Sequence, residues 1–103
     1  MSAVNRREQV RQAVEQFSIR WLKAQECFRV TNQPPWKRTT EALLCFKGLP
    51  LDDLPPKLRQ RIDSCLVKIN RILGHYTLQT WQDYQTVTPE DLTQIEKLIL
   101  DIV

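Results

Sequence analysis

Apolar side chains recur along most of this 103-residue chain at alternating steps of four and three, the rhythm that keeps them on one side of an α-helix. Val10, Val14, Phe17, Trp21, Ala24 and Phe28 form the first such run and predict a helix from about Asn5 to Arg29 with a narrow apolar seam. At the usual rise per residue this rod would be about 35 Å long. The rhythm returns at Leu58, Ile62, Cys65, Ile69 and Ile72, with Leu66 and Leu73 widening the stripe, and predicts a helix from about Leu54 to Leu73. Between these two, Trp36, Leu43, Leu44 and Phe46 mark a shorter helix from about Gln33 to Lys47, and Leu92, Ile95, Leu98, Ile99 and Ile102 carry a last one to the chain end.

The punctuation agrees with that division. Gly48 and Gly74 each follow a helix-like segment, where a residue free to take positive φ commonly ends a helix. Asn32-Gln-Pro-Pro and Asp53-Leu-Pro-Pro each put a capping side chain ahead of prolines, which the first helical turn tolerates because its N–H groups have no partner within the helix. Thr88-Pro89-Glu90-Asp91 supplies a cap, a first-turn proline and two acids suited to the positive end of the helix dipole. HYTLQTWQDYQTV, residues 75–87, is expected to form a short helix with Leu78, Trp81 and Tyr84 on one side, since a single strand would find no partner elsewhere. No segment keeps the alternation of a sheet. The predicted class is all-α, a small single-domain bundle over residues 1–103 with four or five helices and a long N-terminal one.

Composition changes this picture little but narrows the function. An apolar fraction of 42% with 26% charged residues is that of a folding chain. No apolar run reaches the roughly 18 residues that span a bilayer. The opening MSAVNRREQVRQ runs into charge where a secretory signal needs an apolar stretch, so the expected compartment is the cytoplasm, with no membrane partner. Cys27, Cys45 and Cys65 cannot all pair within one chain and show no close metal-ligand spacing, so they are expected to be reduced, mostly buried thiols.

Catalytic patterns are absent from the linear sequence. His75, the single histidine, follows a helix stop and has no cysteine near it in sequence; a Cys-His pair would need the fold to bring Cys45 or Cys65 to it. Asp52-Asp53 and Glu90-Asp91 lie where helices begin, and capping accounts for both. Two isolated glycines cannot build a phosphate-binding loop. The expectation is a protein that is not an enzyme, with no cofactor, metal or small-molecule substrate.

Charge points to partners instead. The net +3 conceals a gradient: eight Lys/Arg against three Asp/Glu in residues 1–38, six against four in 39–75, and one against five in 76–103. Within the third helix, Lys57, Arg61, Lys68 and Arg71 fall within about 80° of one flank beside an apolar arc of about 120°. No acid interrupts that flank, and the row is about 21 Å long. Such cations can simply lie in water, or be crossed by Asp83, Glu90, Asp91, Glu96 or Asp101 of the acidic final third. They can also form a strip for nucleic-acid phosphate or for an acidic protein surface.

A second aromatic-basic cluster, Trp36-Lys37-Arg38, sits at a helix start as a candidate surface site, whereas Trp21 of Arg20-Trp21-Leu22-Lys23 belongs to the core seam. Ile19, Leu22 and Val30 fall off the seam of the first helix and would suit contact with another chain. The expected function is a non-catalytic helical protein–protein interaction module, a small subunit, adaptor or regulator that meets a protein partner or its own copy. The alternative is a nucleic-acid-binding bundle that contacts phosphate through the basic face.

Overall fold

A computed structural model describes residues 3–102, with side chains from Arg6 onward. It contains four α-helices, α1 (Ala3–Arg29), α2 (Pro35–Leu44), α3 (Pro56–Leu73) and α4 (Pro89–Leu100), with short 3-10 turns at Leu51–Asp53 and Trp81–Thr86. No strand occurs among the described residues, and the all-α bundle with a long first helix is the observed architecture. None of the described helices is long and apolar enough to cross a membrane.

Helix ends show where local chemistry prevailed. Gly48 takes φ +79°, the left-handed conformation that lets the chain leave α2. The α-helix itself stops earlier than expected, at Leu44. The next turn tightens, with Phe46 N donating to Leu43 O at 3.2 Å and Lys47 N to Leu44 O at 3.1 Å. Gly74 departs from expectation: its φ is −62°, and α3 ends by Gly74 N bonding Asn70 O at 2.8 Å with no left-handed residue.

Asn32 and Asp53 do not cap. A residue before proline is held extended, so the pair of prolines pushes the cap position onto Pro34 and Pro55, neither of which has a capping side chain. Thr88 does cap, its hydroxyl accepting from Asp91 N at 3.2 Å.

The core is built from one face of each long helix. Ala13, Phe17, Ala24 and Phe28 of α1 meet Ile62, Cys65 and Ile69 of α3 and Ile95 and Ile99 of α4, with Ala42 from α2. Ala13, Ala24 and Ala42 are almost wholly buried, and side chains this small allow α1 and α2 to approach closely. Val14 and Trp21 sit half-buried at the seam's edge. A second cluster, Tyr84, Val87 and Leu92 packed with Trp36, Leu43, Leu73, Tyr76 and Leu78, gives residues 76–87 their place. There the chain is irregular up to Thr80 and then forms the 3-10 turn, so the short helix expected in residues 75–87 is confined to its second half. Thr80 and Asp83 form a capping box, and Asp83 accepts from Gln79 N at 2.7 Å and Thr80 N at 2.9 Å.

Side chains of neighbouring helices donate to each other's C-terminal carbonyls, of which Ile99 O also accepts from Ile102 N at 3.3 Å. Trp21 Nε1 donates to Ile99 O at 3.1 Å, Arg38 to Phe28 O at 3.3 Å, Arg20 to Cys45 O at 3.3 Å and Cys65 Sγ to Leu98 O at 3.4 Å. These bonds tie α1 to α2 and α4, and α3 to α4.

The first turns of α1 lie outside this packing. Residues 6–9, 11 and 12 are exposed, and Arg11 instead pairs along the helix with Glu8 and with Glu15, the latter at 2.7 Å. The extents of 49 × 27 × 23 Å and the radius of gyration of 15.1 Å, against about 13 Å for a compact domain of this size, reflect that projection.

Candidate interaction surface

The stripe of α3 that enters the core fixes where its basic flank goes. With Ile62, Cys65 and Ile69 buried, Lys57, Arg61, Lys68 and Arg71 stand exposed along the edge facing α4. The two helices enclose a groove there, made of two adjoining hollows that share Lys68, Leu98 and Asp101. One, of about 470 Å³, lies beside Lys57 and Arg61; the other, of about 410 Å³, lies beside Arg71, Ile72 and Lys97. Lys97 adds a fifth cation from the opposite wall.

Among the acids of the final third, Asp101 alone lines this groove. Asp83 is held by the backbone N–H groups of Thr80 and Gln79, which keep its carboxyl below the ordinary range. Asp91 accepts from the Tyr76 hydroxyl, Glu90 lies exposed in the first turn of α4, and Glu96 lines a different pocket with Arg38. The ion pairs among the described residues join Arg11 to Glu8 and Glu15, Arg29 to Glu26, and Arg59 to Asp52 and Asp63. None of them involves Lys57, Arg61, Lys68 or Arg71. The acidic third therefore packs beside the strip with no ion pair to it among the described residues, although Asp101 stands in the groove.

Below these cations the hollow beside Arg71 is mostly apolar, while Gln60 and Ser64 make the one beside Lys57 and Arg61 about half polar. Leu98 and Ile72 are half-buried, and Cys65 and Ile102 are buried at its base. Burial pushes the Cys65 thiol up to about 11, against a smaller opposing pull from Lys68, so the thiol is neutral near pH 7. A neutral, buried thiol bonded to a carbonyl is no nucleophile. His75 is exposed past the end of α3, and no Cys–His hydrogen bond occurs among the described residues. Cys27 and Cys45, both half-buried, adjoin across the α1–α2 contact, where burial first and then Cys45 raise the Cys27 thiol to about 11. No cluster of three potential metal ligands occurs among the described residues.

The other two candidate sites have different fates. Trp36-Lys37-Arg38 is divided: Trp36 packs into the second cluster, Lys37 is exposed, and Arg38 turns inward to Phe28 O, with its Nε buried and without a hydrogen-bond partner among the described residues. On α1, Ile19 and Leu22 are 54% and 55% exposed and one turn apart, on the side away from Phe17 and Ala24; Val30, at 37%, lies past the helix end.

The α4 half of the groove was not found in the sequence. Gln94, Lys97, Leu98 and Asp101 form that wall, and Leu98 marks the edge of the α4 apolar stripe, but periodicity does not say which edge a neighbouring helix leaves open. In comparisons with family models, curated proteins and solved structures, nothing matches this chain.

Proposed function

We propose that this chain is a non-catalytic helical interaction module whose contact surface is the basic groove between α3 and α4. One observation carries the proposal. Lys57, Arg61, Lys68 and Arg71 stand exposed in a row with no carboxylate partner among the described residues, while Arg11, Arg29 and Arg59 elsewhere find acids within the chain. A row of unneutralised cations over about 21 Å sustains a positive potential that attracts an anionic surface and orients its approach.

A protein partner suits this groove better than nucleic acid. Its floor at Leu98 and Ile72 is apolar, and none of the described aromatic rings lines it to stack a base. Ile19 and Leu22 supply a second, smaller apolar spot on α1 for the same partner or another copy. Three free cysteines suit a reducing compartment, and the proposed setting is the cytoplasm.

Fluorescence anisotropy with labelled poly-glutamate of about 15 residues tests the proposal. The expected result is binding that weakens as salt rises and falls about tenfold when Arg61→Glu and Lys68→Glu are introduced together. Binding that ignores both salt and that double substitution refutes the assignment.

A further inference from the structure

Resting on that proposal, we infer that the groove's partner is an acidic amphipathic helix of about four turns, laid lengthwise between α3 and α4. The first ground is the layering of the groove. Its rims carry the four cations of α3 and Lys97 of α4, while Leu98 and Ile72 form an apolar floor that gives way to Gln60 and Ser64 beside Lys57 and Arg61. A partner that satisfies both layers presents acids on either side of an apolar ridge, which is the cross-section of an amphipathic helix.

The second ground is the backbone. An extended peptide pressed into the groove would bury N–H and C=O groups, and it would find no strand edge among the described residues to pair them. A helix satisfies those groups internally and can seat in the channel between two packed helices as a third rod. The length agrees as well: the span from Lys57 to Arg71 matches about 14 helical residues.

Asp101 makes the inference specific. It sits where the two hollows join and repels a uniformly anionic ligand such as a nucleic-acid strand. A helix accommodates it with one Lys or Arg near its middle, among acids at the flanks.

The test uses the full chain and four labelled probes: a peptide of about 15 residues with leucines along one stripe and glutamates beside it, the same composition scrambled, poly-glutamate, and a single-stranded oligonucleotide of equal charge. The amphipathic peptide is expected to bind about tenfold tighter than the scrambled one and to gain helical circular dichroism on binding. A Lys placed in its centre should tighten binding to the native chain and weaken it for Asp101→Lys. Leu98→Ala should weaken binding several-fold and Leu98→Met should retain it; the conservative variant controls for loss of fold. Equal binding of the amphipathic and scrambled peptides overturns this inference while leaving an acidic-partner groove intact. Tighter binding of the oligonucleotide than of any peptide overturns the inference and gives the groove to nucleic acid. Binding of no probe at all removes the inference together with the function on which it rests.

Discussion

Truncating isoleucine to alanine at two positions should give opposite outcomes if the packing is as described. Ile95 in α4 is 0% exposed within the main core, whereas Ile19 on α1 is 54% exposed. At Ile95 the change removes three buried carbons at about 0.8 kcal/mol each and leaves a cavity that the surrounding helices can close only in part. The expected loss is about 3 to 4 kcal/mol, within the range of such core truncations. For a domain of this size that corresponds to a fall in Tm of about 15 °C or more. At Ile19 the lost side chain already lies mostly in water, and alanine is the better helix former, so the change should stay within about 0.5 kcal/mol. Urea unfolding followed by helical circular dichroism reports both from midpoint and slope. Losses at the two sites that agree within error would mean that α4 does not bury this face, and the bundle as described would be wrong.

Other consequences follow from single contacts. Thr88→Ala deletes the cap on α4 and should cost about 1 kcal/mol in the same assay, while Thr88→Ser should retain most of it. Trp21→Phe removes the indole N–H that Ile99 O accepts, leaving that carbonyl with the Ile102 N–H at 3.3 Å, and it shrinks a half-buried ring, with an expected loss of about 1 kcal/mol. Cys27 and Cys65 have thiols raised from 9.0 to about 11, so the folded chain holds their protons more tightly than the unfolded one. Their contribution is full below pH 9.0 and is lost as pH climbs towards 11; Tm measured across that window should fall, and should fall less in Cys65→Ala. The same burial predicts slow alkylation by iodoacetamide at pH 7.5, and rapid labelling of Cys65 without unfolding would contradict its placement.

The long helices were legible because their spacing encodes a face directly. Phe17, Ala24 and Phe28 are buried at the positions the pattern gives, as are Ile62, Cys65 and Ile69. The α1 seam was centred slightly wrongly: Ala13 is buried while Val10 and Val14 are half-exposed, because close approach between helices favours the smallest side chain over the most apolar one. Residues 75–87 were harder, since their conformation is set by packing of Tyr84 and Leu78 against Trp36 and Leu43, about 40 residues away in sequence. One local signal was available there, the Thr80-to-Asp83 capping box. The direction of Trp36 and Arg38 could not be read, because two prolines fix where a helix starts but not which side of it meets a neighbour. The α3 wall of the groove was readable as charge on a wheel; the α4 wall depends on a crossing that no spacing records.

The charge-reversal variant carries a consequence beyond binding. Lys57 and Arg61 are four residues apart and Lys68 and Arg71 three apart, spacings at which like charges on a helix repel by about 0.2 to 0.5 kcal/mol per pair. Arg61→Glu with Lys68→Glu turns both repulsions into attractions, a swing of about 0.4 to 1 kcal/mol per pair and so about 0.8 to 2 kcal/mol in all before solvent screening and the new acids' repulsion from Asp101 are subtracted. The double variant should therefore unfold at the same temperature as the native chain or a few degrees above it, while binding anionic ligands about tenfold more weakly. A surface whose charge reversal costs no stability but weakens binding about tenfold is maintained for contact, not for folding. If the variant instead lost more than about 1 kcal/mol, the cations would be holding α3 against α4, and the groove would be a structural joint rather than a docking surface.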